Sequence, residues 1–353
     1  MIRLTWRQFR LQAVATFGLL AVVAVMLAVT GPQLVHLYDS TVKPCKAQGD
    51  CSAATAAFLS HDRLLQGLGD VLVVVPGLIG VFWGAPLVAR ELETGTYKLV
   101  WLQSTTRRRW LAMKLALVGV VSVVVAGLFS LMVTWWSSPI DRVNAAPFAV
   151  FDERGIVPIA YAAFAFALGV TTGVLIRRTV PAMVVTLGVF AAVRVAITSW
   201  VRPRILAPLH FTTGLQVPHG NEIANPNPAA ALKSGAWILS NQTINGAGRV
   251  IGQGGAINSG HGTGVGFNYT GPARTVLQGV GSCPNKFPSQ SAPVAVFDRA
   301  AQLCVDRFHI RQVLTYQPAS RYWTLQWIEA AIFVALALAL IGVTFWWVRN
   351  RLT

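Results

Sequence analysis

The chain has 353 residues, of which 54% are hydrophobic and only 12% charged, and its mean hydropathy is +0.54. A soluble domain carries about a quarter charged residues, so this composition argues against a soluble enzyme and places the chain in the membrane class. The formal net charge of +16 does not mark a nucleic-acid binder, because the Lys and Arg residues crowd the short stretches between apolar runs.

Six apolar stretches approach the roughly 20 residues that a helix needs to cross about 30 Å of hydrocarbon. They lie at roughly 13–35, 69–89, 112–136, 157–176, 180–200 and 325–347. The first ends in Thr30-Gly31-Pro32 without a small-residue processing site, so it reads as a span and not as a cleaved signal peptide. With the N-terminus inside, one side of the membrane holds Arg3, Arg7, Arg10, Arg90, Lys98, Arg107, Arg108, Arg109, Lys114, Arg177, Arg178, Arg349 and Arg351 against Glu91 and Glu93. The short loops on the other side show no such excess: 37–68 holds Lys43, Lys46 and Arg63 against Asp39, Asp50 and Asp62, and 137–156 holds Arg142 and Arg154 against Asp141, Asp152 and Glu153. Both termini are therefore expected in the cytoplasm of a multi-pass plasma-membrane protein.

On that topology all four cysteines fall outside, where disulfides persist. Cys45 and Cys51 lie in the first outside loop, Cys283 and Cys304 in the long segment before the last span. The leading pairing is Cys45–Cys51 with Cys283–Cys304, although four cysteines allow three connectivities and four free thiols are the alternative. The second span starts near Asp70, read as an interfacial residue, and carries Gly77, Gly80 and Gly84 between Pro76 and Pro86. Its Gly80-x-x-x-Gly84 spacing lets helices approach closely, either as a dimer seam or as an internal contact, the second being favoured.

Between the second and third spans runs Ala89-Arg-Glu-Leu-Glu-Thr-Gly-Thr-Tyr-Lys-Leu-Val-Trp-Leu-Gln-Ser-Thr-Thr-Arg-Arg-Arg-Trp-Leu-Ala-Met-Lys114. Glu91 and Glu93 precede Gly95-Thr96, the apolar Leu99, Val100 and Leu102 follow, and Ser104-Thr105-Thr106 before Arg107 has the composition of a helix N-cap opening the third span. A short helix bounded this way is expected at the membrane surface, presenting charges and apolar side chains to a cytoplasmic partner. This stretch resembles the coupling segment of ABC-2 type permeases, the membrane subunits of one class of ATP-binding-cassette exporters: acidic residue, Gly-Thr, short apolar helix, Ser/Thr with Arg, then a Lys-bearing helix. The resemblance implies that segment 90–111 docks on a separate ATPase chain through Glu91, Glu93, Gly95, Thr96, Leu99 and Arg107. The ending Tyr316-Gln-Pro-Ala-Ser-Arg-Tyr-Trp through Trp346-Trp347-Val-Arg-Asn-Arg351 is similar to an actinobacterial branch of such permeases.

Two charges lie inside the later spans. Arg194 sits about six residues from the outer end of the fifth and Glu329 about five residues into the sixth from the same side, depths that match within a turn at 1.5 Å per residue. An Arg194–Glu329 pair joining the two helices is expected, with substrate contact as the rival role. Between these spans, 202–323 is rich in Gly, Asn, Pro and Ser and reads as a small, loop-rich extracytoplasmic domain of mixed structure. Strand-leaning runs occur at 236–239 and 294–297, and a helix over roughly 295–315 carrying Cys304 is also expected. The Gly260–Gly266 run has no strand, helix and Lys-Ser/Thr context for a phosphate loop, and the six histidines show no metal-ligand spacing.

The sequence thus predicts an all-α membrane protein with three parts: spans one to five over 1–201, the outside domain 202–323, and a sixth span with a short tail over 324–353. Its expected function is that of the permease subunit of an ABC exporter, with a second permease copy or paralogue and the lipid bilayer as further partners. The chain itself is expected to bind no cofactor and no metal and to be no enzyme, with ATP and Mg held by the ATPase chain. The alternative is ATPase-driven mechanotransmission or signalling through the outside domain.

Overall fold

In the computed structural model, the described residues are 2–46, 74–95, 106–138, 147–214, 235–255, 309 and 311–351. Six helices among them are long and apolar enough to cross a membrane. We label them α1 (Ile2–Leu37, prolonged by a π turn Tyr38–Val42 and Lys43–Lys46), α2 (Val74–Thr94), α3 (Arg107–Trp136), α4 (Val157–Ile176), α5 (Thr179–Ile205) and α6 (Tyr322–Asn350). The chain divides into a helical unit, Met1–Val143, Val150–Ile205 and Trp323–Thr353, and a second unit, Asn144–Ala149 and Leu206–Tyr322.

In the helical unit α4 is the central element, its most apolar window 78% buried against 17% for α1 and 28% for α5 and α6. A helix that is apolar all round is what such a position selects, and α4 packs against α2, α3 and α5. Hydroxyls bind it to its neighbours: Thr171 Oγ1 lies 2.9 Å from Thr344 Oγ1 on α6, and Thr172 Oγ1 lies 2.6 Å from Thr186 Oγ1 on α5.

The α2–α4 crossing explains the glycines of the second span. A Cβ on Gly84 would stand 2.6 Å from the Phe166 carbonyl oxygen, and one on Gly173 would stand 2.6 Å from that of Ala85. Gly80 and Gly169 are closer still to the facing backbone, at Ala165 and at Gly80 respectively. Two four-residue glycine spacings, Gly80/Gly84 and Gly169/Gly173, therefore interlock, and the internal-contact reading of the Gly80-x-x-x-Gly84 face holds. Residues Gly80–Gly84 form a π turn directly before Ala85–Thr94. Pro86 has no N–H for the carbonyl four residues back and its ring crowds that carbonyl, which a locally widened turn relieves.

The second unit is built on an antiparallel sheet of β1 (Leu209–Gly214), β2 (Trp237–Ile244), β3 (Val250–Gly255) and β4 (Arg311–Gln317), in the order β1-β4-β2-β3. The β2–β3 hairpin turns on Asn245, whose Oδ1 accepts from the backbone N–H of Ala247 (3.1 Å) and Arg249 (2.9 Å), with Gly248 at φ +74°. Phe148 stacks on Trp237 with centroids 5.7 Å apart. The strand expected near 236–239 is present as the start of β2. The helix expected over 295–315 is overturned at its C-terminal end, because Arg311–Gln317 is β4. Gln312 and Leu314 are buried at spacing two, and β4 lies between β1 and β2, so the ladder decides the backbone there. Residues 295–308 and the run 294–297 lie outside the described residues. The helical unit keeps Arg202–Ile205.

Candidate functional site

Two polar constellations occupy the two ends of the helical unit. At the first, α2 does not stop at residue 89 but runs on to Thr94, and Gly95 ends it with φ +71°, the left-handed residue that commonly closes a helix. Glu91 and Glu93 therefore belong to the last turns of α2, not to a separate surface helix. Thr106 caps α3 as expected, its Oγ1 accepting from Arg109 N at 3.4 Å, and Arg107 is the first residue of α3. Thr96 and Leu99 lie outside the described residues, as does Asp70.

The two glutamates do different things. Glu91 is 8% exposed and pairs with Lys114 of α3, Oε1 to Nζ 2.5 Å, so its charge is spent inside the bundle and not presented at the surface. Lys114 Nζ also donates to the Leu87 carbonyl (3.3 Å) and stands 5.0 Å from the Trp110 ring centroid. Glu93 is exposed, and its Oε2 accepts from Thr179 N (3.0 Å) and Thr179 Oγ1 (2.7 Å), placing a carboxylate on the N-terminus of α5, where the helix dipole favours it. The end of α2 is thereby tied to the starts of α3 and α5. Lys114→Met is expected to lower stability by about 3–5 kcal/mol, since it strands a buried carboxylate. Glu91→Leu/Lys114→Met should recover most of that loss, as read by thermal unfolding in detergent.

At the other end, Asp152, Tyr161, Arg194, Arg202 and Glu329 form one network. Arg202 donates Nε to Glu329 Oε2 (2.7 Å), Nη2 to Glu329 Oε1 (2.8 Å) and Nη1 to Asp152 Oδ2 (3.3 Å), and its Nη2 also meets Asp152 Oδ1 and the Tyr161 hydroxyl. The Tyr161 hydroxyl lies 2.8 Å from Asp152 Oδ1 and 2.5 Å from Glu329 Oε1. Arg194 donates Nη1 to Asp152 Oδ1 at 3.3 Å and stacks on the Tyr161 ring, 3.7 Å from its centroid. Burial alone would raise the Asp152 carboxyl, but Arg202 and Arg194 outweigh it and hold the group well below the ordinary carboxylate range. A carboxylate lowered in this way contributes stability fully above about pH 4–5, lost only as pH falls toward its lower folded value.

The expected Arg194–Glu329 pair is thus corrected: both residues are in the network, but Glu329 is bound by Arg202 and Arg194 by Asp152. The reason is local. Eight residues of α-helix turn about 80° past two full turns, which would put Arg194 and Arg202 on different faces. The π turn Ile197–Val201 absorbs one residue, leaving the two about 20° apart and facing the same carboxylate. Sequence reasoning missed both Arg202 and Asp152, because Asp152 was counted among the charges of the 137–156 loop and Arg202 was assigned to the 202–323 domain. The usable signal was that each lies only a few residues beyond the end of a span.

The loop bearing Asp152 is held from both sides. Gln326, fully buried on α6, accepts through Oε1 from the N–H of Ile156 (3.2 Å) and Val157 (3.1 Å), satisfying the N-terminus of α4, and donates Nε2 to the carbonyls of Phe151 (2.9 Å) and Arg154 (3.2 Å). From α3, Ser130 Oγ donates to the Gly155 carbonyl (2.7 Å) and Ser137 Oγ accepts from Arg154 Nη1 (3.2 Å). Beside the network lie edge-to-face contacts of Phe333 with Tyr161 and Phe164, and Phe164 stacks on Phe190.

Of the cysteines, Cys45 closes the α1 extension, and Cys51, Cys283 and Cys304 lie outside the described residues. No curated protein and no solved structure matches the chain. A family model described as ABC-2 membrane transporter related matches residues 17–202, more than half of the chain, and reaches from within α1 to Arg202 of the buried network. With six helices fit to span a membrane and that match, the chain belongs to the ABC-2 membrane transporter related family and is an ABC-2 type permease.

Proposed function

We propose that this permease is the membrane subunit of an ATP-driven exporter, coupled through the α2–α3 connection to a separate ABC ATPase chain that holds ATP and Mg. The observation that carries the reading is the anchoring of that connection. Its base is tied by Glu91 to α3 and by Glu93 to α5, so a displacement of segment 96–105 is delivered to three helices at once. Such linkage is what a two-state bundle needs if a partner's closure is to bias it. Docking then falls to Glu93, Gly95, Thr96, Leu99 and Arg107, while Glu91 serves the bundle.

The exposed arginines Arg90, Arg108, Arg109, Arg177, Arg178, Arg349 and Arg351 support a cytoplasmic placement of this end and of both termini. The second unit then lies outside the cell. A Cys45–Cys51 disulfide would fit that placement, since disulfides persist in an oxidising compartment. Two permease chains, identical or paralogous, supply the two-fold symmetry that a pair of ATPases requires.

The test is purification of the tagged protein in mild detergent from its native host, with mass spectrometry of what accompanies it. A stoichiometric ABC ATPase is expected with the wild type and is expected to be lost from Thr96→Ala/Leu99→Ala. If no ATPase accompanies a well-folded dimer, the coupling reading fails. The separate sheet-bearing unit favours a second reading, force transmission to that unit without transport. Solute movement by the purified complex in vesicles separates the two.

A further inference from the structure

We propose that Arg194 is a binding site for the oxyanion headgroup, carboxylate or phosphate, of an amphiphile, and that such amphiphiles are the substrate class of this permease; the substrate clause rests on the transport reading above. The argument starts from the acceptors. Each of the four carboxylate oxygens of Asp152 and Glu329 is already met by a donor of Arg202. Asp152 Oδ1 is further shared with the Tyr161 hydroxyl, and the Arg194 contact at 3.3 Å is the long member of that crowded set. A guanidinium has five N–H donors, and among the described residues Arg194 has this one acceptor.

Its side chain is only 9% exposed. A buried guanidinium with most donors unmatched is costly inside a span, so its retention asks for an acceptor that the isolated chain lacks. None of its nitrogens is both fully sealed and without a partner, so the unmatched donors are not closed off from an outside acceptor. Stacking on Tyr161 fixes the plane of the fork, which is the arrangement that receives a carboxylate or phosphate with two parallel hydrogen bonds.

The surroundings select the body of the ligand. Arg194 lies two turns, roughly 12 Å, before Arg202 along α5, and the residues beside it that open outward, Ala191 and Val195, are apolar. A free inorganic ion would have to shed its water beside hydrocarbon, whereas an amphiphile brings its own apolar part.

The experiment uses the full chain in nanodiscs of phosphatidylcholine, with diazirine-bearing palmitate, lysophosphatidate and the neutral palmityl alcohol as photolabels. Saturable labelling of α4–α5 peptides by one or both anionic probes is expected, with the alcohol unable to compete. Arg194→Gln should weaken that labelling about tenfold or more, as loss of a charge-assisted pair implies. Arg194→Lys, which keeps the charge but not the fork, should fall between, and Arg349→Gln at the other end should behave as wild type. Preference for lysophosphatidate assigns the site to lipid phosphate, and preference for palmitate assigns it to carboxylate amphiphiles. Equal labelling by the alcohol, or unchanged labelling of Arg194→Gln or Arg194→Lys, overturns the proposal. That failure leaves the permease reading intact if the ATPase still co-purifies, whereas loss of the ATPase with labelling retained would remove only the substrate clause.

Discussion

Arg202→Met is expected to cost about 3–5 kcal/mol of stability, the loss that follows when one partner of a buried ion pair is removed, and to leave a protein that unfolds early in detergent. Glu329 is fully buried and its two oxygens are met by Arg202 and by the Tyr161 hydroxyl. Without Arg202 its carboxylate keeps only that hydroxyl as a partner. Asp152 fares better, since Arg194 remains beside it. The double variant Arg202→Met/Glu329→Leu should therefore regain most of the loss, because a well-packed apolar pair replaces a buried ionic pair at little cost. Glu329→Gln, which keeps shape and acceptor, should cost less than Arg202→Met. Thermal unfolding of the four proteins, followed by intrinsic fluorescence, gives the order. An Arg202→Met protein as stable as wild type would show that the network is not formed.

The second large effect is expected at the α2–α4 crossing. A Cβ on Gly169 would meet Ala85 N at 2.7 Å and Gly84 C at 3.0 Å, as well as the Gly80 carbonyl. These are backbone atoms, and they cannot turn aside as a flexible side chain would. Gly169→Val must push the two helices apart along the whole Gly80/Gly84–Gly169/Gly173 seam, so its cost should reach or exceed the upper end of the roughly 1–3 kcal/mol usual for overpacking. Gly188→Val on α5, where nothing lies within 4 Å, is the matched control and should be close to neutral. The readouts are yield of monodisperse protein by size exclusion and the midpoint of thermal unfolding. A monodisperse, wild-type-like Gly169→Val would mean that the seam is not this tight.

The ties of Glu91 to Lys114 and of Glu93 to Thr179 give the two acidic residues of the motif different roles. Glu91 and Glu93 lie two residues apart on a helix, so they point to different sides. One reaches the interior and the other the start of α5. The motif alone could not say which, because Lys114 lies on the next helix and Thr179 on the fifth.

Taken by itself, the amino-acid sequence determined the six spans, the clustering of positive charge toward one side, the Thr106 cap and the family of the chain. These are local properties: hydrocarbon obliges each segment to satisfy its own backbone and to be apolar over about 20 residues, and a cap is decided within one turn. What only the tertiary structure decided were the partners. Gly169-x-x-x-Gly173 is as visible in the sequence as Gly80-x-x-x-Gly84, but that the two interlock depends on how α2 crosses α4. Arg194 and Glu329 were legible as buried charges, yet one π turn in α5 and two charges just beyond span ends, Asp152 and Arg202, changed who binds whom. In the second unit β4 pairs with β1 and β2 from about 70 to 100 residues away, and that ladder made a strand where local propensity suggested a helix. Pairing across such distances is fixed by which groups are left without partners once everything else has packed, and no window along the chain contains that information.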